Sequence, residues 1–128
     1  MIKLEIKNGL LYTSIQLFHE GKKVHVKDVI VDTGAYHTII IPDFLEEMDV
    51  ELRDEDQIVK ATGYGGKECY SVRKRIDKIE CKELYLENMK IDFGEIDPNE
   101  RVNGLLGLDF LINAGIIIDL DSLTMHKK

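Results

Sequence analysis

The chain has 128 residues and a formal net charge of −7, from 17 basic and 24 acidic side chains. That balance repels phosphate backbones and anionic lipid, which argues against a nucleic-acid or membrane-surface partner. With 44% hydrophobic and 32% charged residues, two prolines and no low-complexity tract, it reads as one folded domain over residues 1–128, long enough to bury a core without disulfides or a structural metal.

Ile2, Leu4 and Ile6 alternate with Lys3, Glu5 and Lys7. This is strand patterning rather than the apolar core of an export signal, so the expected location is the cytoplasm. Asn8-Gly9 predicts a two-residue hairpin joining a strand over 2–7 to one over 10–19. Glu20-Gly21 turns the chain into a third strand, in which Val24 and Val26 alternate before the continuous apolar run Val29-Ile30-Val31.

Thr38 to Ile41 reads as a further short strand. Pro42 and Asp43 then open a brief helix with Phe44, Leu45 and Met48 on one side, ending near Asp49. Residues 57–72 form a hairpin candidate tipped by Gly63-Tyr64-Gly65-Gly66, and with three glycines in four positions that tip is expected to be mobile. Arg73-Lys74-Arg75 is expected as a solvated strand or turn.

Strands over Ile76–Cys81, Leu84–Leu86 and Met89–Phe93 follow, with Glu87-Asn88 as a turn and Asp97-Pro98-Asn99-Glu100 as a loop. The last quarter carries Gly104-Leu105-Leu106-Gly107, a short helix with Asp109 as its N-cap and Gly115 as its stop, and a strand from Ile116 to Leu120. The apolar stretch Leu105–Ile118 is interrupted by Asp109 and Asn113 and is too short to span a bilayer. A strand, a tight turn bearing an aspartate and a short helical element occur around Val29–Met48 and again around Leu105–Ala114, a weak echo that suggests two similar halves.

Neither cysteine reads as a nucleophile. Cys69 and Cys81 are expected as reduced thiols, and none of His19, His25, His37 and His126 has a spacing that sets a base beside them or makes a metal-ligand pair on a helix. The histidines are expected on the surface or in strands.

What carries chemistry is Asp32-Thr33-Gly34-Ala35, directly after the apolar strand. A buried strand ending on a carboxylate and a glycine turn presents that carboxylate in a fixed position. Hydrolysis of an amide by carboxyl groups alone needs two of them, one ionised to take a proton from water and one protonated to polarise the carbonyl. This tetrapeptide occurs once, so its counterpart must come from a second copy of the chain. Taken alone, Asp-Thr-Gly is also ordinary turn chemistry, and a glycine-tipped hairpin is also a plain loop.

In order along the chain, the apolar strand into Asp32-Thr33-Gly34-Ala35, the tip Gly63–Gly66 and the segment Leu105-Leu106-Gly107 resemble the retroviral-type aspartic proteases, the retropepsin-like family, including its small bacterial members. The resemblance implies an all-β, closed acid-protease (retropepsin-like) β-barrel with one or two short helices. It implies an aspartic endopeptidase, active as a homodimer on a peptide or protein substrate, with no metal or organic cofactor. Asp32 is then catalytic, with Gly34 turning the backbone and Thr33 bonding across the dimer axis. The tip Gly63, Tyr64, Gly65 and Gly66 is then a flap over substrate, and Leu105, Leu106 and Gly107 support the active-site loop from behind.

Two facing aspartates cannot both ionise, which leaves one acid and one base. Ala35 cannot donate a hydrogen bond to the dyad as a serine would, so a weakly acidic to neutral optimum is expected. Tyr36 and His37 stand where retroviral members often carry an aspartate that holds substrate backbone. They are candidates to line the cleft, and packing of one with solvation of the other reads equally well. A catalytically silent dimeric module that grips an extended peptide on the same fold stays open beside the enzyme.

Overall fold

The computed structural model describes residues 1–62, 68–96 and 102–128. Its elements in chain order are β1 (Ile2–Lys3), β2 (Glu5–Lys7), β3 (Leu10–His19), β4 (Lys22–Val31), β5 (Ile39–Ile40), α1 (Asp43–Glu47), β6 (Gln57–Thr62), β7 (Glu68–Cys81), β8 (Leu84–Gly94), β9 (Gly104–Leu106), α2 (Leu108–Asn113), β10 (Ile116–Asp119) and β11 (Thr124–Lys127). Eight strands form one sheet in the order β2-β3-β4-β9-β5-β8-β7-β6, and β3 also pairs with β7. That extra pairing, Gln16↔Glu80 to Phe18↔Lys78, closes β3, β4, β9, β5, β8 and β7 into a six-strand barrel. The expected all-β barrel with two short helices is therefore the fold. Among the described residues no helix is long and apolar enough to cross a membrane.

Local turn chemistry sets the hairpins. Asn8 and Gly9 have φ of 51° and 78°, and Glu20 and Gly21 have 49° and 78°, the left-handed pairs that match the twist of tight antiparallel strands. Alternation along β3, β4 and β8 then sends Ile15, Leu17, Val24, Val26, Ile91 and Phe93 inward, where Ile76 and Ile79 of β7, Leu106 and Phe110 join them in one core. Met48 and Leu45 seat α1 on that core, and left-handed Asp49 (φ 54°) and Gly115 (φ 64°) stop the two helices.

Several expectations need correction. The strand over 2–7 splits at Leu4, whose N–H donates to Leu123 O at 2.8 Å. β1 leaves the barrel to pair with β11 in a separate sheet of order β1-β11-β10, and β11 itself carried no signal that stood out in sequence. Glu87-Asn88 is not a turn: β8 runs through it in one register with β7, Ile76↔Met89 and Lys78↔Glu87, and Asn88 takes a left-handed φ of 56° inside the strand. The reversal falls instead at Lys82-Glu83.

Arg73-Lys74-Arg75 is strand but not solvated throughout, because the Lys74 side chain is only 3% exposed and bonded to Asp56. His19 is a strand residue, as expected, at the end of β3; it is buried, its Nδ1 accepting the Asp77 N–H at 3.2 Å. Asp109 is not an N-cap. Gly107 holds that position, and Asp109 lies in the first turn of α2. The expected loop Asp97–Glu100 and the hairpin tip Gly63–Gly66 lie outside the described residues. The two segments that echo each other run side by side as parallel neighbours, Val29↔Gly104 to Val31↔Leu106.

Candidate active site

The parallel ladder of β4 and β9 extends one bond past Val31, with Asp32 N–H donating to Leu106 O at 3.0 Å. This holds the Asp32 backbone where the strand ends. Ala35 N–H returns to Asp32 O at 3.2 Å, and Gly34 N–H donates to Asp32 Oδ1 at 2.9 Å. A Cβ at Gly34 would stand 3.1 Å from that same oxygen, so glycine allows the amide to approach the carboxylate closely.

Helix α2 grips the rest of the turn. Its first amides, Leu108 and Asp109, donate to Ala35 O and Tyr36 O, both at 2.9 Å. The buried Asp109 carboxylate accepts from Thr38 N–H at 2.9 Å, Thr38 Oγ1 at 2.7 Å and Phe110 N–H at 2.7 Å. Thr38 Oγ1 in turn accepts from Gly107 N–H at 3.0 Å. A buried carboxylate so supplied with donors is a structural clamp. Gly107 must lack a side chain, since a Cβ there would lie 2.7 Å from Tyr36 O and 2.9 Å from Ala35 O.

The Asp32 turn forms one wall of a cleft of about 950 Å³. Of the residues singled out in sequence, Asp32, Gly34, Ala35, Tyr36, His37 and Leu105 line it. Thr33 is exposed at the turn's outer surface, Leu106 is buried behind it, and Gly107 packs beneath it. Tyr36 and His37 are both exposed and meet edge to face, with ring centroids 4.8 Å apart, so neither packs into the core.

Sequence reading missed the opposite wall: Val59 on β6, Cys69, Ser71 and Arg73 on β7, and Asp92 on β8. The signal was the alternation of Cys69, Ser71 and Arg73 along one strand face, masked there by the basic run that follows. Arg73 Nε and Nη2 donate to Asp92 at 2.7 and 3.1 Å. The hydrogen bond and charge of Asp92 raise the Arg73 guanidinium above its ordinary value against the opposing pull of burial. Burial pushes the Cys81 thiol up, away from nucleophilic thiolate, with only the Thr13 hydroxyl and a neighbouring lysine pulling it down. Among the described residues no group of three His, Cys, Asp or Glu side chains is placed to hold a metal ion.

A family model described as "Aspartyl protease" matches residues 15–110, from β3 through the Asp32 turn to α2. The crystal structure of a retropepsin-like aspartic protease from Rickettsia conorii superposes with a TM-score of 0.68 at 19% identity, covering 98% of this chain and 87% of that one. That of the retroviral protease-like domain of Ddi1 from Leishmania major gives 0.61 at 17% identity, covering 97% and 90%. At such identities the likeness is one of fold. No curated protein sequence matches the chain.

Proposed function

Because the chain belongs to the aspartyl protease family, we propose that it is an endopeptidase of the retropepsin-like type, in which two copies of Asp32, one from each subunit of a homodimer, activate a water between them. The observation that carries this reading is the Asp32 carboxylate itself, held on a clamped turn and open to a cleft large enough for a peptide segment. The other carboxylates near the turn are committed elsewhere: Asp109 to Thr38 and Phe110, and Asp92 to Arg73. Glu95 lies past the end of β8, outside any ladder. A second copy is the natural source of a symmetric partner.

In the proposed reaction the ionised Asp32 takes a proton from water as the oxygen attacks the peptide carbonyl, while the protonated Asp32 donates to the carbonyl oxygen. The resulting diol collapses with cleavage of the C–N bond. A hydroxyl proton returns to one carboxylate, and the leaving nitrogen takes a proton from the other. The dyad ends with one proton, as it began. Exposed Thr33 suits the cross-subunit bond implied by the family resemblance, and β9 with Gly107 supplies the support. Ala35 offers the dyad only a methyl group, in keeping with a weakly acidic to neutral optimum and a cytoplasmic setting.

The test is digestion of a denatured mixed-protein substrate by the wild type and by Asp32→Asn, with and without a statine-type peptide that mimics the tetrahedral state. Cleavage by the wild type that the peptide blocks, and that falls by about a thousandfold in Asp32→Asn, is the expected result. Peptide binding that survives Asp32→Asn, with no cleavage by either protein, would instead establish a silent binding module.

A further inference from the structure

The cleft face of the sheet carries a row of side chains, one from each of four neighbouring strands. The ladders set Leu105 of β9 opposite Ile39 of β5, Ile39 beside Asp92 of β8, and Asp92 opposite Arg73 of β7. All four line the cleft that holds Asp32. Since β9 is bonded directly to the Asp32 backbone, the apolar pair stands nearest the scissile region and the charged pair stands beyond it.

A guanidinium has five N–H donors, and the fork onto Asp92 uses Nε and one hydrogen of Nη2. Among the described residues no other acceptor is bonded to Arg73. Its side chain remains 22% exposed, against 11% for Asp92. The pair is not required to join its strands, because the β7–β8 ladder runs from Ser71↔Gly94 to Cys81↔Leu84. For stability alone an apolar pair would serve as well. What the pair adds is a cation fixed in orientation, with donors to spare, in the wall of the cleft.

We propose that Arg73 is a specificity-determining residue whose remaining N–H donors bind an acidic side chain of the peptide substrate, at a subsite set off from the scissile bond by the apolar surface of Ile39 and Leu105. This deepens the protease reading and rests on it. A carboxylate meets the guanidinium fork in the geometry Arg recognises best, and a site built to donate rejects an analogue that leaves its donors unpaired. Glu95 also lines the cleft, and the Lys60 ammonium is 2.9 Å from Glu68. An acid is therefore favoured at the one position that Arg73 reaches, not along the whole peptide.

The experiment takes a peptide cleaved at a single bond and remakes it with Glu, Gln or Lys at each flanking position. Values of kcat/KM are measured with the wild type, Arg73→Lys and the double variant Arg73→Gln/Asp92→Asn. The double variant removes both charges, so no unpaired carboxylate is left in the wall. At one position Glu should exceed Gln by roughly tenfold in the wild type, mainly through KM. That ratio should fall to about one in the double variant and be partly kept in Arg73→Lys. No Glu preference at any position, or a preference that persists in the double variant, overturns the proposal. If the wild type cleaves nothing, the same peptides are titrated onto it by calorimetry. A Glu preference in binding that the double variant loses then upholds Arg73 while the protease reading fails, and no such preference overturns both.

Discussion

The two walls of the cleft are built in opposite ways. The Asp32 turn is tied by backbone bonds to Leu106, Leu108 and Asp109, and is clamped from below by a Thr38 that has no exposed surface. The β6–β7 hairpin faces it from the edge of the sheet, where, among the described residues, β6 pairs only with β7 and Ile58 is 78% exposed. The hairpin joins the barrel through β7, laddered to β8 from Ser71 onward, and its own base is held by the Lys74 ammonium, 2.9 Å from Asp56. A wall with many mutually supporting bonds holds a reacting group still, and an edge strand with few buried contacts is displaced at low cost.

Gly107→Ala should break this contrast most severely. Its Cβ would meet backbone atoms of Ala35, Tyr36 and His37 at 2.7–2.9 Å, and relief requires moving the turn. Peptidase activity should fall by about a hundredfold or more, with a loss of about 2–3 kcal/mol in denaturant unfolding. A variant as active as the wild type would show that the turn is not the rigid wall.

Asp56→Asn probes the base of the other wall. The Asp56 carboxyl is pushed up by burial, but hydrogen bonds from Lys74 and the Arg53 N–H, with the charges of both residues, outweigh this and hold it below the ordinary carboxylate range. Its contribution is then complete above that range and is lost as the pH falls through the depressed value. The variant should cost about 1–2 kcal/mol near neutral pH and act more on KM than on kcat. Its Tm difference from the wild type should shrink below about pH 4. A difference that widens on acidification would contradict the sign of that linkage.

Ile58→Thr should change stability by no more than about 0.5 kcal/mol, because its exposed side chain has little burial to lose. A larger loss, read by thermal melting, would mean that β6 is covered in solution.

The same division governs what could be read from the chain. The Asn8-Gly9 hairpin, the entry of Val29–Val31 into Asp32 and the stop at Gly115 depend on local turn chemistry and strand patterning, and they lie where the residues say. The Asp109–Thr38 clamp joins residues 71 apart and has no local signature, and from its neighbours alone Asp109 suggests a cap. Glu87-Asn88 looked like a turn because Asn tolerates left-handed backbone, yet the ladder with β7 carries the strand through it. Lys74 and Arg73 looked solvated because their partners, Asp56 and Asp92, come from other strands and loops. The Asp32 turn itself is thus legible, and the clamp beneath it and the wall opposite, both assembled by long-range pairing, are not.

The most direct measurement is the separation of the two Asp32 carboxylates in a crystal of the protein bound to a statine-type peptide. A twofold dimer with those oxygens about 3 Å apart, on either side of the bound hydroxyl, is the expected result. A monomer, or a dimer whose Asp32 side chains face away from one another, would contradict it.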